Sequence, residues 1–320
     1  MFIIPLLYLD QNRLQKHAEE ISAITIRGYD EKCRPEAELS KYKIGVHLLA
    51  DYCPTDRYLY ISKRMPEVRL EETWKGLQGR VIEDVYLEMY DLAKNYVGET
   101  SIRSLAFDDW IQSNIAQITE KKREQIEGLR GSLARRPTDR QVESFCNELD
   151  ILAKFELQVF SSYMRFLISK KFSVNLKTEF LTNFDFIFKH SVNGTRIGLA
   201  DNIKPDFLYL RTIIGDIKTG SWEEFFRVMI AAYAMAYEAS ENTEINCGIV
   251  LNPTFHSART VPLYANSSIF VINDVLRKAF LAKRDQKLRV LEEENIPETP
   301  SDSLSCRDCG YFDHCCRGTP

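Results

Sequence analysis

Between residues 172 and 239 the apolar pattern changes period, and that change constrains the fold more than any other feature. Up to about residue 170 apolar side chains recur at helical spacing: Phe145, Leu149, Leu152, Phe155, Val159, Tyr163 and Phe166 share one stripe of a helix over 141–169. Beyond it Asn183-Phe184-Asp185-Phe186 alternates as a half-buried strand does, and Asn193-Gly194 reads as a hairpin turn between two strand-like runs. Residues 206–210 and 212–217 follow as short strands joined by a tight turn near Arg211. Residues 222–239 (WEEFFRVMIAAYAMAYEA) form a helix that is apolar almost all round, which requires cover on most sides. Residues 246–251 and 268–272 read as further strands and 274–294 as a charged helix. Such interleaving specifies an α/β fold, a mixed central sheet flanked by helices.

The two short strands carry the residues with chemistry. In a strand, residues i and i+2 share a face, so Asp216 and Lys218 project together while Ile217 points into the core. Asp206 starts the preceding strand and reaches the same spot across the hairpin. Two carboxylates on one face make a hard-oxygen site suited to Mg²⁺ or Mn²⁺. A lysine beside that metal is placed to orient an attacking water, while the metal neutralises charge on a phosphate. Asp-x-Lys alone is also a frequent accident of two exposed carboxylates at a strand end.

Eight cysteines, at 33, 53, 146, 247, 306, 309, 315 and 316, give the second constraint, since four crowd into the last fifteen residues. Clustered thiols in a chain of this size hold a metal or a cluster more often than disulfides. Cys306-x2-Cys309 by itself is a zinc half-site, with His314 and Cys316 as alternative ligands. Cys33, Cys146 and Cys247 lie singly and read as small core residues with inert thiols.

The order of these features resembles a known superfamily. Pro205-Asp206, nine residues, then Asp216-Ile217-Lys218 looks like the PD-(D/E)xK signature of restriction-endonuclease-like nucleases. The Gly198-Leu199 opening and the Lys218-Thr219-Gly220 close resemble its RecB-type branch. Gly79-Arg80-Val81-Ile82-Glu83 resembles that branch's first helical motif, Gly-x-x-x-His, with Glu83 where histidine is usual. Glu179 sits where the branch often has a strand glutamate, a structural role being the simpler reading. Of the branch's Gln-x-x-x-Tyr, Tyr233 is present but Met229 takes the glutamine position, with Arg227 the nearest polar substitute.

Cys306-x2-Cys309-x5-Cys315, with Cys53 in Asp51-Tyr52-Cys53-Pro54-Thr55, is similar to the CRISPR-associated RecB-like exonucleases. The segments 52–60 and 226–238 resemble their archaeal type I-A variant in particular. The resemblance covers roughly residues 45–90 and 175–316. It implies a restriction-endonuclease-like fold with a helical insert and a cap in which Cys53, Cys306, Cys309 and Cys315 bind a [4Fe–4S] cluster. It implies that Asp206, Asp216, Glu83 and the Ile217 carbonyl hold Mn²⁺ or Mg²⁺, that Lys218 orients the water, and that Tyr233 contacts substrate or supports the site. The implied activity is a metal-dependent DNA exonuclease acting on single-stranded or overhanging ends, trimming spacers before the CRISPR integrase subunits insert them. A catalytically weak DNA-end-binding or assembly subunit is the alternative.

Composition bounds the partners. Lys plus Arg is 42 against 46 Asp plus Glu, a net charge of −4, so DNA contact must come from a local patch. Residues 121–136 (KKREQIEGLRGSLARR) carry six bases against two acids and offer either a solvated helix face or a path for the DNA backbone. No apolar run has membrane-span length, and the apolar start Met1–Tyr8 lacks a basic flank and a cleavage site. It reads as a buried strand or docking segment, and the protein as cytoplasmic, with a homo-oligomer left open. The chain divides into an N-terminal segment 1–75, a helical region 76–175 with the basic insert, a nuclease core 176–295, and a cysteine segment 296–320. Residues 290–305, with five acids and two prolines, read as a loose linker between the last two.

Overall fold

The computed structural model describes residues 19–50, 53–99, 107–169, 176–219, 223–256, 259–264, 267–300, 306 and 309–316. The expected docking segment Met1–Tyr8 lies outside them, as do residues 301–305 of the expected linker.

Five short strands form one mixed sheet in chain order: β1 (Phe186–Phe188), β2 (Phe207–Tyr209), β3 (Ile213–Ile217), β4 (Cys247–Leu251) and β5 (Ser268–Val271). β1 and β2, and β2 and β3, pair antiparallel, β3 and β4 are parallel, and β4 and β5 are antiparallel. A parallel pair needs a crossover. The apolar helix Phe225–Glu241 supplies it, starting three residues later than the sequence suggests.

Both faces of the sheet are buried, and the period of two sorts its side chains. Phe207, Tyr209, Ile213, Ile217, Ile249, Leu251 and Ile269 face one core, made with a helical bundle. Leu208, Ile214, Val250 and Phe270 face a second core, made with the crossover helix, the last long helix and the N-terminal turns. In chain order the helices are α1 (Arg57–Arg64), α2 (Trp74–Glu99), α3 (Phe107–Leu129), α4 (Asp139–Ser169), α5 (Leu176–Asn183), α6 (Phe225–Glu241), α7 (Asp274–Glu292) and the short α8 (Phe312–Cys316). α2 to α5 cover the first face, and α6 and α7 the second. The result is the expected α/β arrangement of a mixed sheet between helical layers.

The turn at residue 211 forms with left-handed backbone at both Leu210 (φ 50°) and Arg211 (φ 56°). Two positive-φ residues match the twist of a tight hairpin and bring Asp206 back beside β3. Gly215 is required where it stands, because the ring of Phe207 lies across it and a Cβ would meet that ring at 2.0 Å.

Two local expectations are corrected. Asn193-Gly194 does not make a two-residue hairpin turn. The Asn193 side chain accepts from the Thr195 N–H at 3.0 Å, which starts a 3-10 turn over Thr195–Ile197. Only an isolated Val192–Ile203 bridge remains of the flanking strands. The alternation at 183–186 is helical spacing in disguise: Phe180 and Phe184, four apart, both pack against Phe160. Glu179 therefore lies on α5 and not on a strand.

A buried carboxylate joins the N-terminal turns to the second core. Glu238 on α6 accepts from Arg277 Nη1 at 2.6 Å, from the Gly28 N–H at 2.7 Å and from Arg27 Nη1 at 3.1 Å. Glu238 and Arg277 are both fully buried. None of the described helices is long and apolar enough to cross a membrane.

Candidate active site

The strand ends assemble the expected carboxylates. Asp206 directly precedes β2, and its Oδ2 accepts the Ile217 N–H at 2.7 Å. Asp216 lies on β3, its carboxyl hydrogen-bonded to that of Asp206. Lys218 Nζ is 2.6 Å from Asp216 Oδ2. That contact is an ion pair without the alignment of a hydrogen bond, and it leaves the buried Oδ2 with lone pairs to offer. Glu83 reaches the same place from α2, one turn beyond Gly79, which packs against Thr219. Ile217 points into the first core, as its position between Asp216 and Lys218 requires.

A residue that sequence reasoning missed joins the carboxylates. Lys189 follows β1 with a left-handed backbone (φ 51°), and its N–H donates to the Asp206 carbonyl at 3.1 Å. Its ammonium sits 2.6 Å from Asp206 Oδ1 and also binds Glu83 Oε2. The only signal in the sequence is a charge closing an apolar strand run, a frequent pattern. His47, from the 3-10 turn Val46–Leu49, was missed as well. Burial, then Lys63 and Lys218, hold its imidazole below the usual histidine value, so it lies within electrostatic reach of Lys218.

The electrostatics are those of carboxylates crowded out of water. Burial, and then the charge of Asp206, push Glu83 up to about 7. Burial drives Asp216 well above the carboxylate range. Burial would raise Asp206 too, but the Asp216 hydrogen bond and the ammonium groups of Lys189 and Lys218 hold it below its ordinary value. The centre thus keeps protons and ammonium groups against surplus negative charge.

Among the described residues, no three His, Cys, Asp or Glu side chains are gathered closely enough to hold a metal ion as they stand. At the carboxylate centre the Lys189 ammonium lies between Glu83 and Asp206, where a cation would sit. The all-oxygen donor set and the under-bonded Asp216 Oδ2 suit a hard divalent ion.

The cysteines meet near the start of α2, where Trp74, Cys309 and Phe312 line a common cavity. Cys53, Cys306, Cys309 and Cys315 line one small space, walled by Tyr58, Pro300, Tyr311 and Phe312. The Tyr311 N–H donates to Cys309 Sγ at 3.4 Å. Neighbouring bonds clamp the two ends of the chain together: Arg57 to the Pro297 carbonyl at 2.6 Å, Tyr60 to the Glu294 carbonyl at 2.9 Å, and Lys287 to Asp56. Four cysteines lining one small space, with no carboxylate among them, have the donor chemistry for an iron–sulfur cluster or a structural metal, though their thiols as placed are not gathered into a binding geometry. The isolated cysteines behave differently: burial pushes Cys33 and Cys247 up to about 11 and raises Cys146, keeping all three protonated.

A family model described as CRISPR-associated exonuclease Csa1 matches residues 5–319. The chain belongs to the CRISPR-associated exonuclease Csa1 family. A relative from Saccharolobus solfataricus, described as a CRISPR-associated exonuclease Csa1, is 22% identical over 312 residues, 95% of this chain and 94% of that one.

In this Csa1 family chain α6 approaches the polar centre through Phe226, whose ring lies 5.8 Å from Lys218 Nζ. Met229 is buried in the second core, and Tyr233 is partly buried against the same core. Arg227, the nearest polar substitute for the glutamine, pairs with Glu224 and lies 5.2 Å over the Phe270 ring. The basic stretch is largely neutralised at home. Lys121 and Lys122 pair with Glu88, Arg123 with Glu143, and Arg130 with Glu127 and Asp139. Arg135 lies over the Phe312 ring, leaving this face a weaker path for DNA than its charge count suggests.

Proposed function

We propose that this chain is a divalent-metal-dependent DNA exonuclease that trims single-stranded or overhanging ends for spacer acquisition, working beside the CRISPR integrase subunits. Family membership supports a CRISPR-associated nuclease. The observation that carries the chemistry is the joining of Asp206, Asp216 and Lys218, at the ends of β2 and β3, with Glu83 from within α2.

In this reading Asp206, Asp216 and Glu83, with the Ile217 carbonyl, hold Mn²⁺ or Mg²⁺. An ion held there would supply positive charge against the scissile phosphate and would lower the pKa of a water. Lys218, fixed beside Asp216, holds the attacking water and adds positive charge near the phosphate. The Ile217 N–H orients Asp206 so that its other oxygen meets the Lys189 ammonium. The cysteine site carries a [4Fe–4S] cluster that ties the first and last segments together.

A second reading is favoured by Met229: the buried position where related nucleases carry glutamine has no polar group, as in a DNA-end-binding or assembly subunit with weak catalysis. Assay of end-labelled single strands with Mn²⁺ or Mg²⁺ separates the two. Metal-dependent shortening that Asp216→Ala removes supports the enzyme, and binding without shortening in any divalent metal supports the assembly subunit.

A further inference from the structure

A cavity of about 470 Å³ opens where the start of α2 meets the α3–α4 connection and the cysteine segment. Its size is that of a small-molecule site. Trp74 lines it, half-buried, with its ring edge-on to Phe145 at 5.5 Å. Phe312 lines it from the cysteine segment, with the Arg135 guanidinium 5.2 Å from its ring centre. Two aromatic rings and an arginine plane form a stacking platform, the device by which proteins grip unpaired bases.

The charges select the base over the backbone. Glu71, Glu148 and Asp313 line the cavity against Lys75 and Arg135, so a phosphate meets a net negative wall. Carboxylates accept from base amino and ring N–H groups, and Gln78 both donates and accepts. Glu148 is half-buried, and burial raises its carboxyl, which favours a hydrogen-bonded partner over open solvent.

Position links the cavity to the carboxylate centre. Lys75, Gly79 and Glu83 fall four apart on one stripe of α2. Lys75 lines the cavity, Glu83 joins the carboxylates, and Gly79 lies between them with Thr219 beside it. Eight residues of helix span about 12 Å, a distance that a few nucleotides cover.

We propose that this cavity receives an unstacked nucleobase of a DNA single strand whose backbone crosses the carboxylate centre. The strand is then gripped by a base a short step from the bond to be cut. The inference rests on the nuclease reading above and adds a base subsite to it.

The test is binding of short labelled single strands in EDTA, measured by fluorescence anisotropy on the full chain. Strands carry one abasic position, moved nucleotide by nucleotide from the end. One position should weaken binding about fivefold or more, as loss of a stacked base does. Gln78→Ala and Arg135→Ala, both at the cavity rim, should bind the intact strand more weakly and lose that position dependence. Trp74→Ala should do the same, with Trp74→Phe retaining it if the larger truncation upsets packing. A flat abasic profile, or one unchanged in both rim variants, overturns the base subsite while leaving the nuclease reading intact. A chain that binds no single strand overturns both. Cleavage by wild type in Mn²⁺, run in parallel, tests the nuclease reading by itself.

Discussion

Lys189 holds its ammonium 2.6 Å from Asp206 Oδ1 while also binding Glu83, so one lysine bridges the two carboxylates that a metal would otherwise join. Its left-handed backbone turns the side chain back over the end of β1 to reach them. A resident positive charge at that place both relieves carboxylate repulsion and competes with an incoming cation. Lys189→Met should therefore tighten Mn²⁺ binding about tenfold, equivalent to about 1.4 kcal/mol. Isothermal titration calorimetry on the apo-protein reads this directly; unchanged or weaker affinity would show that the lysine does not contest the site.

Asp216→Ala and Lys218→Ala should each lower single-strand cleavage in Mn²⁺ by about 100-fold or more, because each removes a group acting on the developing charge. DNA affinity should hold within about threefold, since phosphate contacts elsewhere carry it. Both proteins must be purified alongside wild type. Retained cleavage in either variant rejects the assigned chemistry.

Stability should depend on pH through Glu83. Its folded pKa, about 7, lies above the ordinary glutamate value of 4.5. The native state therefore binds more protons than the unfolded state between those values, and stability falls as pH rises across that window. In EDTA the urea midpoint should decline from pH 4.5 to pH 7 and level off above it. Glu83→Gln should flatten the Glu83 part of that decline. A variant with the same slope as wild type would assign the dependence to other groups.

Replacing Cys53, Cys306, Cys309 or Cys315 with Ser should remove the iron and the visible absorption of anaerobically purified protein and lower its solubility. These four line one space, whereas Cys33 and Cys247 are protonated core thiols. Cys33→Ser should keep the colour. Metal analysis showing stoichiometric zinc and no iron would replace the cluster with a zinc site of the same ligands.

Glu238→Gln should destabilise the fold by about 3–5 kcal/mol, the usual penalty for leaving one partner of a buried ion pair uncompensated. Glu238 and Arg277 are both fully buried, and the same carboxylate also anchors the Gly28 backbone. Thermal unfolding with unchanged far-ultraviolet dichroism at low temperature reads the loss; a shift of less than about 2 °C would mean that local rearrangement replaces the bond.

The sequence by itself determined whatever depends on short-range period. Strand alternation places Asp216 and Lys218 on one face with Ile217 behind them, and the tight turn at Leu210-Arg211 returns Asp206 to their side. The all-round apolar pattern of 225–241 made it the buried crossover. Tertiary structure decided what depends on contacts between distant segments. Lys189 and His47 show no periodic signal, and only packing brings them to the centre. The basic run 121–136 reads as a surface for DNA until Glu88, Glu143 and Asp139 are folded against it. Phe184 alternates with Phe186 along the chain, yet the ring of Phe160 holds it beside helix α5. Local geometry follows from backbone stereochemistry repeated every two or 3.6 residues, whereas the neutralisation of a charge is set by whichever partner the fold brings within a few ångströms, which no spacing along the chain encodes.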